Sequence, residues 1–484
     1  YLKASEKRNG NFPAAIAFGC KTSLTKLMRD IDSLAGYINS IGIGDGDAVT
    51  VFLPTVIHAF TSFYALNKIG VICSNSDYVS PLMVPAFKVF EKKKSVGIDR
   101  YKNSIKYSQA LIKGHSVKTV DCHDGEKTAV YLHGGGTTGK SKTIMLSGAN
   151  INAIADKLEP LDIPDLKPGK ECSLVVLPMF HAFGLAVAMH YPLTHGYTLL
   201  PMPQFSAESA NKLMRKHNIT FILGVPNMFR KMYEEKHFAG QHLKNLRLVF
   251  CGGDFLPERF VKEFNKKIAE YGGKGKLFRG YGLTEVGSVC TANCYGAVRE
   301  ESIGRPLKGM TVEIWDDMKN RLPAGQNGEI VVKGSTVMQG YFSGDNTVMN
   351  DGVYVDKNGD RWVLTGDLGY MDKDGFVYFT GRKKRMIIIS GYNVYPTDIE
   401  NAVLELPFVN EVCAVQGYHK NRPCVKLCVT LKYPMNHGEA IDTIQSYCKK
   451  NLAKFSCPRK IEIFDSLPRT KMAKVDFMAL SDKY

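Results

Sequence analysis

Residues 131–143, YLHGGGTTGKSKT, combine the residue types that hold a phosphate group. Glycines let backbone N–H groups converge on anionic oxygens, hydroxyls add donors, and a lysine adds positive charge. The candidate phosphate contacts are Thr137, Thr138, Gly139 and Lys142. The segment predicts that the protein binds a polyphosphate such as that of ATP, although an ordinary turn could also carry these letters.

The same segment permits a second interpretation. Residues 134–141 spell G-x-x-x-x-G-K-S, the P-loop pattern of nucleotide triphosphatases, in which the Lys-Ser pair opens a helix and the serine holds Mg²⁺. Here residues 143–146 have the composition of a strand, and the next helix is predicted to begin within 147–150. This weakens the P-loop interpretation but leaves it as an alternative.

Further segments carry polar side chains among aromatic and glycine residues. Taken singly, each has a plain structural explanation: His181 as a satisfied core histidine, Glu285 as a helix cap, and Lys474 as a solvated side chain. Found together in this order, they are not a chance combination. The segments are PMFHAFG (178–184) with His181, YGLTE (281–285) with Tyr281, Thr284 and Glu285, TGD (365–367) with Asp367, GRKKR (381–385) with Arg382 and Lys384, and LPRTKMAK (467–474) ending at Lys474.

The elements that must position these residues alternate between helices and strands. Residues 22–42 have apolar side chains at helical spacing after Ser23, a good N-cap. This alternation predicts α/β layers around a largely parallel sheet. Strands are predicted at 48–53, 173–177, 220–223 and 246–251, and helices at 64–69, 206–217 and 257–271.

The pattern of predicted elements changes from about residue 300. Short strands between glycine-rich turns, at 312–315, 329–333, 361–364 and 375–380, predict a small β-rich subdomain over about 300–380. After the basic residues 381–385 the alternation resumes for about 100 residues, enough for a separate small domain. We therefore predict an N-terminal α/β domain (1–381), a hinge (382–385) and a small, mobile α+β lid domain (386–484).

Composition narrows the classes of protein. The chain has 484 residues, 44% hydrophobic and 23% charged, with a net charge of +16. The basic residues are spread out, which does not favour nucleic acid, whereas ATP or coenzyme A would also benefit from positive potential. No apolar run reaches the roughly 18–20 residues of a membrane span. The twelve cysteines are scattered without a C-x-x-C pair, which predicts reduced thiols in the cytoplasm.

With these motifs the chain resembles the superfamily of adenylate-forming enzymes, which includes acyl- and aryl-CoA synthetases, adenylation domains of peptide synthetases and luciferases. The resemblance extends from the helix at 22–38 to Lys474, and GGTTG (135–139) is most like the form in fatty acyl-CoA synthetases. It implies an AMP-forming acid–thiol ligase that uses ATP, Mg²⁺ and coenzyme A. A medium- or long-chain fatty acid is the expected substrate; an aryl acid, or loading of an acyl carrier protein, is the alternative, and a P-loop NTPase the remote one.

The resemblance also implies roles for single residues. Glu285 would hold Mg²⁺, and Lys474 would bridge the substrate carboxylate and the α-phosphate, where a shared cation lowers the barrier. Lys384 would be the hinge about which the lid rotates, Gly391 would line the pantetheine passage, and His181 would gate it. The nucleotide contacts would be Thr137, Thr138, Gly139 and Lys142 for the β- and γ-phosphates, Thr284 for the α-phosphate, Tyr281 with Gly252, Gly253 and Asp254 around adenine, and Asp367 with Arg382 at the ribose.

This chain departs from the family pattern at three places. Ser141-Lys142-Thr143 stands where relatives carry Pro-Lys-Gly, and Ala473 replaces the glycine before the predicted catalytic lysine. The interval 75–130 is also shorter than the strand, helix and approach to the phosphate loop that it should contain. We expect the first two changes to alter loop mobility rather than chemistry.

Overall fold

The computed structural model describes residues 1–75, 86–89, 95–97, 104–119, 121–122, 124–133, 142–158, 163, 165–343, 348–389, 392–420, 422–469 and 475–482. The chain forms two compact units. Unit 1 contains Tyr1–Val312 and Val332–Val363, and unit 2 contains Glu313–Val331 and Leu364–Tyr484. The predicted hinge at 382–385 falls inside unit 2, so the predicted domain boundaries stay a prediction.

The helices and strands follow the alternation that the sequence predicts. The α-helices are α1 (Leu2–Asn9), α2 (Leu24–Ser40), α3 (Ile57–Lys68), α4 (Tyr107–Gly114), α5 (Gly148–Leu158), α6 (Tyr191–Thr194), α7 (Ala207–Lys216), α8 (Pro226–Glu234), α9 (Glu258–Glu270), α10 (Pro396–Leu404), α11 (His437–Asn451) and α12 (Phe477–Leu480). The strands of unit 1 up to residue 306 are β1 (Pro13–Ala17), β2 (Cys20–Ser23), β3 (Ala48–Phe52), β4 (Ile72–Asn75), β5 (Ala86–Val89), β6 (Ser95–Gly97), β7 (Ser104–Lys106), β8 (Thr128–His133), β9 (Thr143–Ser147), β10 (Cys172–Val175), β11 (Thr198–Pro201), β12 (Phe221–Gly224), β13 (Leu248–Cys251), β14 (Lys276–Tyr281), β15 (Thr291–Ala292) and β16 (Arg305–Pro306). The later strands are β17 (Thr311–Trp315), β18 (Gly328–Lys333), β19 (Gly340–Phe342), β20 (Val348–Met349), β21 (Val353–Val355), β22 (Arg361–Met371), β23 (Val377–Arg382), β24 (Ile387–Ile389), β25 (Tyr392–Val394), β26 (Val409–His419), β27 (Arg422–Leu431) and β28 (Lys460–Ile463).

One sheet of unit 1 confirms the predicted parallel arrangement. Its strand order is β16-β15-β14-β13-β12-β10-β11-β1-β2, and the run from β14 to β1 is parallel. The strands β10, β12 and β13 are buried at every residue, as expected of parallel strands covered on both faces. In the parallel register Cys251 lies opposite Arg279, so the segments that leave β13 and β14 emerge side by side.

The second sheet of unit 1 is mixed, and it decides between the two interpretations of the phosphate loop. Its order is β20-β19-β9-β8-β4-β3-β5-β6-β7, with β8 and β9 antiparallel. Thr143 begins the strand β9, so the loop is followed by a strand and not by a helix. The P-loop interpretation is therefore wrong, because its lysine and serine must open a helix.

The helix predicted at 22–42 is present as α2, and its cap and buried face explain why the spacing of apolar residues predicts it. Ser23 caps α2 by accepting a hydrogen bond from the backbone N–H of Lys26 at 3.2 Å. Leu24, Leu27 and Leu34 are fully or almost fully buried on one face. Burying an aliphatic side chain of this size stabilises the fold by about 1.5–3 kcal/mol.

Unit 2 contains a part with its own apolar core. The sheet β26-β27-β28 packs against α10 and α11 through buried residues that include Val403, Leu427 and Ile444. The strand predicted at 361–364 is longer than predicted: β22 extends to Met371, because its residues from Asp367 onward continue an antiparallel ladder with β23.

Two further expectations concern thiols and membranes. All twelve cysteines lie within the described residues and are free thiols, as predicted from their spacing. Of the helices that the structure describes, none combines the length and the apolar character needed to cross a bilayer.

Candidate active site

The residue that follows the phosphate loop is fixed by two contacts in unit 1. Lys142 forms an ion pair with Asp351, and its Nζ lies 4.6 Å from the ring centroid of Tyr341. A cation above an aromatic face at this distance is attracted by about 0.5–1 kcal/mol when exposed. The pairing of β9 with β19 creates this arrangement, since it places Ile144 opposite Tyr341.

The same tyrosine contacts the predicted metal-binding carboxylate. The Tyr341 hydroxyl donates to Oε1 of Glu285 at 2.9 Å, and the backbone carbonyl of Glu285 accepts from Met338 N–H at 2.8 Å. Burial, followed by the nearby charge of Glu285, raises the pKa of Tyr341 above its ordinary value, so the hydroxyl remains a donor. Tyr341 therefore joins Lys142 and Glu285, two predicted site residues that lie far apart in sequence.

Glycines set the conformation of the YGLTE segment. A Cβ on Gly282 would lie 1.6 Å from the Ser288 carbonyl oxygen, which excludes any side chain there. Thr284–Val286 then forms one 3₁₀ turn, which Gly287 ends with φ +73°. Tyr281, Thr284 and Glu285 are all half-buried.

The segments after β13 and the PMFHAFG motif lie together. A Cβ on Gly252 would come within 3.3 Å of the Phe183 ring and 3.9 Å of the Gly280 carbonyl oxygen. Gly253 has φ +86°, and the Asp254 carboxylate accepts a bond from the next backbone N–H at 2.8 Å. The glycine turn therefore adjoins the ring of Phe183 and the strand that ends at Tyr281.

His181 precedes an uncommon helix. Its backbone carbonyl accepts from Leu185 N–H at 2.9 Å, and its ring lies 4.6 Å from that of Phe180. Phe183–His190 forms a π-helix, a rare form that is frequent at functional sites. Gly184 allows the tight entry, since a Cβ would lie 2.0 Å from the Pro178 carbonyl oxygen.

In unit 2 the TGD motif holds Asp367 through its neighbours. The Thr365 hydroxyl donates to the Ile330 carbonyl at 2.6 Å and accepts from Asp367 N–H at 3.0 Å. Gly366 has φ +70° and donates its N–H to Glu329 at 2.9 Å. Thr365 and Gly366 therefore fix the conformation of the turn, and the turn positions the carboxylate of Asp367.

Asp367 and Arg382, which are both predicted to lie at the ribose, are close together in the structure. They are paired across β22 and β23, and Nε of Arg382 lies 3.4 Å from Oδ1 of Asp367. The Asp367 side chain is 8% exposed and that of Arg382 is 44% exposed. A carboxylate with so little solvent exposure is well suited to accept from ligand hydroxyls.

The predicted hinge residue lies between two anchored neighbours. Lys383 pairs with Asp317 at 2.6 Å and with Glu329 at 3.4 Å. Arg385 pairs with Glu400, beyond the predicted hinge, and Lys384 between them is exposed. Lys383 and Arg385 therefore hold to different segments, and Lys384 is the position between the two attachments.

Five predicted residues are not located. Thr137, Thr138, Gly139, Gly391 and Lys474 lie outside the described residues. Their roles stay predictions.

Glu285 can supply one protein ligand to a magnesium ion, but not a complete binding site. Among the described residues, no group of three or more His, Cys, Asp or Glu side chains could hold a metal by itself. Mg²⁺ needs only one or two protein carboxylates when substrate phosphates and water complete its shell. Glu285 suits such an ion, which would neutralise phosphate charge.

Two methionines of unit 1 make close contacts with neighbouring residues. Met228 lies against Gly224, where an added Cβ would lie 1.9 Å from its Cε, and the sulfur of Met189 lies 3.3 Å from the Tyr64 hydroxyl. An apolar cavity of about 200 Å³ lies among α2, α3 and α5, and His190 is on its wall. Neither Met189 nor Met228 lines this cavity.

Sequence reasoning missed the residues that support the site. No role in the site was predicted for Tyr341, for Phe183 within PMFHAFG, or for Glu329. A bulky aromatic residue in a short strand could have indicated a buried tyrosine. Its carboxylate partner is 56 residues away, and only tertiary structure supplies that pairing.

Two known protein families match this chain. Residues 84–342 match the family described as AMP-binding enzyme, and residues 398–474 match the AMP-binding enzyme C-terminal domain. The chain is 28% identical to the long-chain-fatty-acid–CoA ligase of Bacillus subtilis (strain 168), over 95% of this chain and 90% of that protein. It is 30% identical to the 2-succinylbenzoate–CoA ligase of the same strain, over 72% of this chain and 68% of that protein.

A solved structure supports the fold. The o-succinylbenzoate CoA synthetase of Bacillus subtilis, in complex with its acyl-adenylate intermediate, superposes with a TM-score of 0.82. The two are 24% identical, with 100% of this chain and 98% of that chain covered. The α/β architecture and the resemblance drawn from the motifs are confirmed. Because the first family match spans more than half of the sequence, this chain belongs to the AMP-binding enzyme family.

Proposed function

We propose that the protein is an ATP-dependent carboxylate–CoA ligase. A carboxylate oxygen attacks the α-phosphorus of ATP, the bond to the bridging oxygen breaks, and pyrophosphate leaves. The thiol of coenzyme A, after loss of its proton, then attacks the acyl carbon, and AMP leaves with the bonding electron pair. The products are an acyl-CoA thioester, AMP and pyrophosphate.

One observation carries the first step: Tyr341 joins Lys142 to Glu285. A lysine at the end of a phosphate loop and a carboxylate suited to Mg²⁺ are what a leaving pyrophosphate requires, since both reduce the charge that develops. Thr137, Thr138 and Gly139 would complete the loop contacts, and Thr284 would donate to the α-phosphate. Mg²⁺ bound at Glu285 would supply charge neutralisation.

The nucleotide would be held by groups of opposite character. Tyr281 would stack on adenine, with Gly252, Gly253 and Asp254 along its other side. Asp367 would accept from the ribose hydroxyls, and the guanidinium of Arg382, 3.4 Å from the Asp367 carboxylate, supports a polar ribose site at this point. These assignments follow the family's motifs position by position.

Lys474 would complete adenylation by contacting both anions. We expect Lys474→Ala to lower adenylation by about 10²–10³-fold, the loss typical of a removed electrostatic stabiliser. Thioester formation from a supplied acyl-adenylate should remain. Pyrophosphate release measures the first step and thioester formation the second; an equal loss of both would contradict the assignment.

The second step requires the lid to turn about Lys384. The attachments of Lys383 and Arg385 to different segments support a pivot at this residue. Gly391 would leave space for the pantetheine arm, and His181 would lie near the acyl-adenylate and gate access to it. Coenzyme A is the proposed acceptor, with an acyl carrier protein as the alternative.

For the acid, we propose a medium- or long-chain fatty acid. The relative named long-chain-fatty-acid–CoA ligase matches almost the whole chain, whereas the 2-succinylbenzoate–CoA ligase favours an aryl acid as second candidate. A panel of acids should be tested by pyrophosphate release, with coenzyme A or a phosphopantetheinylated carrier protein as acceptor. Turnover that is highest with aryl acids would refute the fatty-acid assignment, and absence of turnover with every acid would refute the ligase.

A further inference from the structure

The apolar cavity among α2, α3 and α5 has no role in the proposed reaction. Its volume is about 200 Å³, and its apolar wall contains Met28, Ile31, Phe63 and Ile151. Of the residues assigned to ATP, Mg²⁺ or coenzyme A that the structure describes, none lines it. A cavity of about 150 Å³ with such an apolar lining stays dry and binds benzene, so this one has room for about six to ten non-hydrogen atoms.

The polar groups on the cavity wall already have partners within the protein. His190 is 4% exposed, and its Nδ1 and Nε2 lie 2.9 Å from the Tyr64 hydroxyl and 3.0 Å from Oδ1 of Asn152. The side-chain amide of Asn67 donates to the Ala129 carbonyl at 2.9 Å. A polar ligand group placed against these residues would lose its hydrogen bonds to water without replacing them. The wall therefore favours a ligand that is bound by apolar contact.

The charged groups on the wall form ion pairs of opposite sign. Lys3 pairs with Asp121 at 3.1 Å, and Lys68 pairs with Asp32. The side chains of Lys3, Asp32 and Asp121 are 65%, 55% and 50% exposed, so the cavity reaches the surface here. A charged ligand would have to displace one member of a pair, and two cations facing two carboxylates favour neither sign. The lining therefore selects an uncharged molecule.

The π-helix extends from this cavity to the glycine turn of the candidate active site. His190, its last residue, is on the cavity wall, and the sulfur of Met189 lies 3.3 Å from the hydroxyl of Tyr64 on the same wall. Phe183, its first residue, has its ring within 3.3 Å of the position of a Cβ on Gly252. A single element of eight residues therefore contacts both places, which is the kind of packed connection that carries coupling between sites.

We propose that the cavity is an effector site for an uncharged apolar molecule of about six to ten non-hydrogen atoms, and that the π-helix couples its occupation to the glycine turn. Binding at the cavity does not depend on the proposed ligase function. Only the effect of the ligand on adenylation rests on it.

Titration calorimetry of the full chain with toluene tests the binding. We expect one saturable site, and binding at least about tenfold weaker in Ile151→Phe and in Met28→Phe, because each enlarged side chain occupies the cavity. Ile154→Val is the control. It shortens a fully buried side chain of α5 that does not line the cavity, and its affinity should stay within about twofold of wild type.

Two comparisons test the reasoning about the lining. Benzylammonium, which adds a charge to the same ring, should bind at least about tenfold more weakly than toluene. The two filled variants should melt at or above the wild-type temperature, since the added atoms occupy empty space. If one of them does not fold, the other, on a different helix, decides. Absence of saturable toluene binding, or wild-type affinity in a folded filled variant, would overturn the site. Equal binding of benzylammonium would overturn the ligand class.

Hydrogen–deuterium exchange with and without saturating toluene tests the coupling. Peptides covering 178–190 should exchange more slowly in the presence of toluene in wild type and unchanged in Ile151→Phe. Adenylation kcat, measured by pyrophosphate release, should fall about twofold or more on saturation, because a more ordered helix holds the Phe183 ring against Gly252. Binding without a change in exchange or in kcat would overturn the coupling. If the wild-type protein forms no adenylate with any acid, the proposed function fails, and calorimetry and exchange still decide the effector site.

Discussion

Replacing Tyr341 with phenylalanine tests whether the joined residues of unit 1 form a magnesium-dependent site. The change removes only the hydroxyl that donates to Glu285 at 2.9 Å. The ring that lies beneath Lys142 remains, and its burial at 7% exposure means that packing is preserved. Glu285 itself should then adopt several orientations, because the bond that selects one of them is lost.

The magnitude follows from the character of this bond. A hydrogen bond to a charged group contributes about 1.5–3 kcal/mol, and Glu285 is half-buried, so water offsets part of the loss. The lower value corresponds to about tenfold, at 1.4 kcal/mol for each factor of ten. Loss of a residue that orients a metal ligand typically lowers metal affinity by about 10–100-fold. We therefore expect Tyr341→Phe to need about ten times more free Mg²⁺ for half-maximal adenylation.

The assay is ATP–pyrophosphate exchange measured across a range of free Mg²⁺ at saturating ATP and acid. Tyr378→Phe is the matched control, since it removes a tyrosine hydroxyl 3.2 Å from the Asp372 carboxylate, away from the proposed site residues. The control should keep the wild-type magnesium dependence. A half-maximal Mg²⁺ concentration in Tyr341→Phe within twofold of wild type would refute the reasoning.

Three other outcomes are expected. Burial lowers the pKa of His190 to about 3 by desolvation. Between about pH 6.5 and pH 3 the unfolded chain therefore binds a proton that the native protein does not. The free energy of unfolding should fall below pH 6.5, by about 2 kcal/mol at pH 5, and His190→Gln should make the melting temperature nearly independent of pH between 7 and 5. Lys384→Pro, which fixes φ at the hinge, should lower single-turnover thioester formation about tenfold or more and adenylation much less. Gly280→Ala should destabilise by about 1–3 kcal/mol, because its Cβ would lie 2.2 Å from the Phe250 ring, whereas Gly252→Ala should melt close to wild type.

Controls distinguish each result from a general defect. The exposed His437→Gln should keep the wild-type pH dependence, and an unchanged slope in His190→Gln would contradict the linkage. Lys384→Ala should retain both half-reactions; equal losses in Lys384→Pro would contradict a hinge. Equal melting temperatures for Gly280→Ala and Gly252→Ala would show that the strand relaxes around the added methyl group.

The pH prediction depends on a network that the sequence does not reveal. Nδ1 of His190 lies 2.9 Å from the Tyr64 hydroxyl, and Nε2 lies 3.0 Å from Oδ1 of Asn152. A neutral imidazole satisfies both contacts, with Nε2 donating to the amide oxygen and Nδ1 accepting from the hydroxyl. Burial removes the water that would solvate an imidazolium, and this desolvation is the main reason why the neutral form is favoured.

Local patterns in the sequence determined most of the elements and the family. The helix after Ser23 and the strand after Lys142 were predictable because capping and side-chain periodicity act over a few residues. The motifs of the site were recognisable for the same reason, since each is a short run whose glycines and polar residues serve one turn. Asp367 is an example, because Thr365 and Gly366 shape its turn directly.

Tertiary structure decided which distant side chains meet. Tyr341 contacts Glu285, and Arg385 contacts Phe477, because strand register and helix packing bring together segments 56 and 92 residues apart. No local pattern records such pairings, since their free energy arises only when the intervening chain has folded. The sequence by itself therefore determined the elements, the motifs and the kind of chemistry, and the fold decided which residues orient the groups that carry it out.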